Sequence, residues 1–285
     1  MTLKKYISSV YLACSVFLIA ACGGESTAQA PAGEQKSAQE ITHIRVGVCP
    51  GPYGKMVEEG ISPYLKKKNI EVEIVEFADY IQPDVALESR DIDANLMQHV
   101  VYLASISKNL DLKGLVAVIT VPTLGTAIFS DKYKSFDELQ PGDKVILPAD
   151  AVVTARNLRF ARDVGLITLK RESDDAKASL DDVDENKYGV EFAVMDSPQI
   201  ARTLDSVAIG FVPGNYAIAA GLDFDDALAI EKLSENFKNS IVVREDNFDT
   251  IGQLLKEAVE SEDFRKAIDG NDYFKGFERP EWWGK

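Results

Sequence analysis

From Ile44 onward, short β-branched apolar runs alternate with longer stretches whose apolar residues recur at helical spacing, and few folds accommodate that alternation. IRVGV at 44–48 gives way to PGPYG and then to a helical pattern reaching Lys68, in which Met56, Val57, Ile61, Tyr64 and Leu65 share one face. Further strands are expected at 72–77, 115–121, 126–129, 144–147, 192–195, 207–212 and 240–243, and helices at 81–89, 96–108, 150–163, 197–205 and 247–269. The layout is α/β with mostly parallel sheet. The apolar runs at 115–129 and 207–219 are longer than one strand and carry Pro or Gly partway. If both pass between the same two sheets, the result is a two-lobed clamshell with a cleft and a hinge; a single continuous sheet satisfies the same pattern.

The N-terminal segment has a different character. Lys4 and Lys5 precede an apolar run from Val10 to Ala21, and Ile19-Ala20-Ala21 stands directly before Cys22, the three-part layout of a secretory signal. The apolar run falls short of the roughly 20 residues that span a bilayer. Small residues before a cysteine resemble a bacterial lipobox, so residues 1–21 read as a signal peptide and Cys22 as the acylated residue that anchors the chain to a membrane, outside the cytoplasm. Residues 23–40 contain no aromatic or large aliphatic side chain and cannot order themselves, so Cys22 with the stretch to 42 reads as a lipidated residue and flexible tether.

The chain carries 31 basic and 46 acidic side chains; losing Lys4 and Lys5 leaves 29 against 46. That surplus of negative charge argues against nucleic acid as a partner. Cys14 leaves with the signal and Cys22 is consumed by lipid, so Cys49 is the remaining thiol, which excludes an intrachain disulfide and a cysteine metal site. No metal and no tightly bound cofactor is expected. The sequence contains no nucleophile-elbow, zinc-protease or phosphate-loop motif and only two histidines, so an enzyme is not expected.

Three loops stand where α/β sheets bind ligands, beyond the carboxyl ends of strands. Cys49-Pro50-Gly51-Pro52-Tyr53-Gly54 follows the first strand, with glycines that permit close backbone approach and free N–H groups suited to a carboxylate; Gly51 and Tyr53 are its candidates, although a plain tight turn fits as well. Asp91 to His99 reads as a short strand entering a helix, with Asn95 as cap and His99 and Tyr102 projecting toward a cleft, although a lone His also fits a purely structural role. Pro148-Ala149-Asp150 leads to Arg156, whose guanidinium could grip a carboxylate through two bonds.

Asp91-Ile-Asp-Ala-Asn-Leu-Met-Gln-His-Val-Val-Tyr-Leu103 closely resembles the signature of the NlpA lipoprotein family, the MetQ-type methionine-binding receptors of ABC importers, which usually reads D-I-D-A-N-x-F-Q-H-x-x-Y-L. The resemblance extends through Phe77 to Tyr80, Lys134 to Leu139, Pro198-Gln199, Gly214-Asn215-Tyr216-Ala217 and Val243 to Asn247, covering Ile44 to about Phe274. It implies a periplasmic-binding-protein clamshell of the type II kind, with 43–122 plus 217–285 as one lobe and 123–216 as the other. It also implies capture of an amino acid, methionine or a related compound, for an ABC permease with its ATPase. His99 and Tyr102 would line the pocket, Arg156 would hold the ligand carboxylate, and Asn215 and Tyr216 match the end of the family's N-G-N-Y segment. Met97 stands for the family's Phe, Pro213 for its first Asn, Leu124 for an aromatic or acidic residue, and the loop 149–154 is less polar. These departures imply a less polar pocket, and they keep a second reading in play: a surface-exposed lipoprotein with an interaction or adhesin role.

Overall fold

The computed structural model describes residues 41–170 and 177–284. The expected signal peptide, the lipidation at Cys22 and nearly all of the tether lie outside the described residues. Among the described residues no helix is long and apolar enough to cross a membrane.

In chain order the strands are β1 (His43–Val48), β2 (Glu71–Glu76), β3 (Ala94–His99), β4 (Leu115–Thr120), β5 (Ala127–Phe129), β6 (Lys144–Pro148), β7 (Ile167–Leu169), β8 (Val183–Asn186), β9 (Glu191–Met195), β10 (Ile209–Val212), β11 (Ala229–Ile230) and β12 (Asn239–Arg244). The helices are α1 (Pro52–Met56), α2 (Ser62–Lys66), α3 (Gln82–Glu88), α4 (Val100–Leu110), α5 (Ala151–Asp163), α6 (Ser197–Ile200), α7 (Gly214–Ala219), α8 (Gln253–Glu260) and α9 (Glu262–Asp269). One sheet runs β2-β1-β3-β12-β4 and a second β11-β5-β10-β6-β9, while β7 and β8 form a separate hairpin. Both sheets are mixed. In the first, β12 is antiparallel to both β3 and β4; in the second, β5 is antiparallel to β10 and β11.

Each sheet carries its own apolar layers. Ile44, Val46 and Val48 of β1 pack with Met56, Ile61 and Leu65 beneath the first sheet, where Val259 and Phe264 close the layer. Trp282 and Trp283 pack against the same cluster, and Trp282 Nε1 donates to Thr120 O. In the second sheet Val145 and Leu147 of β6 meet Leu158 and Phe160 of α5 and Phe211 of β10. The opposite face holds Phe129, Ile146, Val212, Tyr216 and Ala217.

Two expectations are corrected. The stretch from 96 was expected to be helical, but Ala94–His99 is a fully buried strand and the helix begins at Val100. The helical spacing there comes from a bulge: Gln98 pairs with Ser240 and Leu96 with Ile241, so Met97 is the extra residue. The second passage between sheets was expected at 207–219. Because β11 pairs with β5, the chain remains with the second sheet through Ile230 and returns over 231–238. The chain passes from β4 of the first sheet to β5 of the second over 121–126.

Candidate ligand-binding site

A cavity of about 50 Å³ lies between the two sheets and is lined by Tyr53, Met97, His99, Tyr102, Arg156 and Asn215 together with Tyr80, Gln98, Thr123, Leu124, Thr126, Val153, Pro213, Gly214 and Asn239. The Met97 bulge in β3 brings His99 to the end of the strand, where it caps α4: Nδ1 accepts the backbone N–H of Tyr102 at 3.1 Å. That bond fixes the tautomer and leaves Nε2–H as the ring's donor. Burial, with a smaller contribution from Arg156, holds the imidazole well below its ordinary pKa, so the ring is neutral. Burial also raises the Tyr53, Tyr80 and Tyr102 phenols, which stay protonated. The Tyr102 hydroxyl is buried without a hydrogen-bond partner.

On the other side, Asp150 is spent on capping α5, its Oδ1 accepting the N–H groups of Val152 and Val153. The cap starts the helix so that Arg156, in its second turn, reaches the cavity. The guanidinium is not free. Nε donates to Glu231 Oε1 at 2.7 Å and Nη2 to Oε2 at 2.5 Å, with only 12% and 10% of the two side chains exposed. Burial acts to lower the Arg156 pKa, but the Glu231 charge and its hydrogen bonds prevail and hold it above its ordinary value.

Two expected ligand residues do not line the cavity. Gly51, at φ +124°, lies against the backbone of Asn215, and a Cβ there would stand 2.4 Å from Asn215 O. Tyr216 points away, donating its hydroxyl to Ala78 O and stacking at a tilt on Tyr80. Asn215 borders the cavity, but both ends of its amide are engaged: Nδ2 donates to Pro50 O at 3.0 Å and Oδ1 accepts from Tyr80 at 2.7 Å. The loops after β1 and β2 are thereby fastened to α7. Pro213, where the resemblance led us to expect an asparagine, caps the same helix without a side-chain bond.

Sequence reasoning missed Tyr80, Thr123, Thr126 and Asn239. Tyr80 lay within a matching stretch, but nothing local marked it as facing the cavity. Thr123 and Thr126 sit on the first passage, and Asn239 is the first residue of β12, tied to Thr123 Oγ1 through its N–H.

A family profile described as NlpA lipoprotein matches residues 44–282. Outer membrane lipoprotein 2 of Mannheimia haemolytica is 32% identical over 271 residues, covering 94% of this chain and 96% of that protein. The D-methionine-binding lipoprotein MetQ of Yersinia pestis is 34% identical over 281 residues, covering 97% and 98%. Among solved structures, a nutrient binding protein from Burkholderia cenocepacia bound to methionine superposes with a TM-score of 0.76 at 31% identity, covering 82% of this chain and 97% of that one.

Proposed function

The chain belongs to the NlpA lipoprotein family, and from that premise we propose that it captures a small carboxylate-bearing solute, methionine or a related amino acid, and passes it to an ABC permease with its ATPase. The family is one of binding lipoproteins rather than enzymes. The observation that carries the proposal is the buried guanidinium of Arg156, which lines one cavity with a neutral His99 between the two sheets. A carboxylate on that guanidinium would be touched from the second sheet, and the rest of the ligand by β3 and the loop after β2 from the first. Ligand would thus favour the closed arrangement by bridging the two sides.

In this reading the first sheet and the segments packed on it form one lobe, and the second sheet with α7 forms the other. Cys22 carries the lipid and residues 22–42 the tether, which place the domain on the outer side of a bacterial envelope membrane. Ligand-binding roles fall to Tyr53, Met97, His99, Tyr102 and Arg156.

Native mass spectrometry of the exported domain without Cys22, as purified and after unfolding and refolding, tests this. A co-purified mass that is lost on refolding and restored by L-methionine or another amino acid is the expected result. A bare mass under both conditions, unresponsive to an amino-acid panel, would overturn it in favour of a surface interaction role.

A further inference from the structure

Glu231 has no counterpart in the expectations drawn from the sequence. In the structure its carboxylate accepts three hydrogen bonds beside the cavity. Oε1 accepts Arg156 Nε, and Oε2 accepts both Arg156 Nη2 and the backbone N–H of Thr126, the latter at 3.0 Å. Its own N–H donates to Thr126 O at 2.8 Å. Gly125 lets the two segments meet this closely, since a Cβ there would stand 2.7 Å from Glu231 O. Glu231 opens the second passage between the sheets and Thr126 closes the first. One residue therefore fixes both passages and the arginine.

The bond pattern is selective about which part of the guanidinium it uses. Glu231 takes the side-on edge, Nε with one Nη2 hydrogen. The end-on edge, Nη1 with the other Nη2 hydrogen, is left to a ligand, and it is the edge that a planar carboxylate can grip with two parallel bonds. The Phe237 ring, 5.2 Å from the guanidinium carbon, covers one face of the group. Arg156 is thus restricted in both rotation and approach.

Charge gives the second half of the argument. Among the described lining residues Arg156 is the one that carries formal charge, because His99 is neutral and the tyrosines stay protonated. Glu231 cancels it. A lone buried guanidinium would favour anions, whereas this neutral pair favours a solute that brings no net charge into a poorly hydrated space.

Building on the proposed solute-binding role, we propose that Glu231 is a positioning and specificity-determining residue: it aims the end-on edge of Arg156 at a single ligand carboxylate and makes net-neutral zwitterions the preferred class. The test titrates wild type and Glu231→Gln with three probes: L-methionine, L-methioninamide, which lacks the carboxylate, and 3-(methylthio)propanoate, which lacks the amino group. Wild type is expected to prefer methionine over both. In Glu231→Gln, methionine should weaken roughly ten- to a hundredfold, the worth of a charge-assisted hydrogen bond. The anion should gain on methionine, and the cationic methioninamide should fall further behind both. Equal loss for all three probes, with their ratios unchanged, would mean a merely structural role and overturn the proposal.

The Arg156 Nε–H resonance in a proton–nitrogen spectrum supplies a readout independent of any ligand. It should be protected from exchange in wild type and averaged in Glu231→Gln; an averaged wild-type signal overturns the positioning. If Glu231→Gln does not fold, Glu231→Asp, which shortens the reach, replaces it in both measurements with the same expected direction. A wild-type protein that binds none of the three probes counts against the amino-acid reading, and the resonance then decides the role of Glu231 separately.

Discussion

Tyr80 donates its phenolic hydrogen to Asn215 Oδ1 at 2.7 Å, joining the loop after β2 to the helix that follows β10. With the Asn215 bond to Pro50 O and the Tyr216 bond to Ala78 O, it forms a clasp across the mouth of the cleft that involves no ligand. Asn215→Ala removes two of the three bonds. The expected outcome is a larger radius of gyration for the ligand-free protein by small-angle X-ray scattering, with binding weakened roughly tenfold. An unchanged radius would show that the clasp does not govern closure.

Gly51→Ala attacks the same junction by sterics. The left-handed φ of +124° disfavours alanine, and the new methyl would lie 2.4 Å from Asn215 O. Val48 and Tyr53 on either side of Gly51 belong to the core of the first sheet, so the thermal transition should fall together with the affinity, the latter by roughly tenfold or more, about 1.4 kcal/mol per decade. Calorimetric titration beside a circular-dichroism melt separates the two effects.

Removing Arg156 alone strands the Glu231 carboxylate in a site where a tenth of its surface is exposed. Arg156→Ala should therefore cost about 3–5 kcal/mol of stability as well as abolishing binding. The double replacement Arg156→Met with Glu231→Leu should recover most of that stability but none of the binding. Urea unfolding of the three proteins checks both halves.

Asp84 gives a pH dependence of known sign. Its carboxyl is buried, and desolvation pushes it up to about 6 although the amides of Asn95 and Gln98 donate to Oδ1. Oδ2 and Gln98 Oε1 are both without partners. A proton on Asp84 is thus favoured in the folded state, and the group's contribution is full below the unfolded value near 4 and lost as pH rises through about 6. The other titratable groups that feel Asp84 are Cys49 and Tyr102, both raised by burial and neutral across this range. Asp84→Asn keeps the shape and adds a donor for Gln98. It should stabilise the protein by up to about 3 kcal/mol at pH 7.5 and by little at pH 4. Chemical denaturation at the two pH values, wild type against variant, checks it.

Strands were legible as runs rich in β-branched residues, whether buried like β1, β6 and β12 or more exposed like β2 and β4; all five fall within a residue or two of expectation. The β3 segment misled because a bulge at Met97 restores a three-residue spacing between Asn95 and Gln98. Both then reach Asp84 from a strand, as they would from a helix. The return passage was hidden because β11 has only two residues, Ala229 and Ile230, too few for any period to show. Arg156 could be singled out by its place on α5, yet its partner could not. The pair is joined across 75 positions by chain path alone, and no local pattern distinguishes Glu231 from a surface acid.

Both members of that pair belong on one side of the hinge, since α5 packs on the second sheet and Glu231 directly follows β11. A carboxylate docked there would not sense the angle between the lobes. Docking and closure would then be separable events in time: a fast bimolecular phase proportional to solute concentration, then a slower unimolecular phase that saturates. The residence time of the solute would be set by reopening of the Tyr80 and Asn215 clasp rather than by release from the guanidinium.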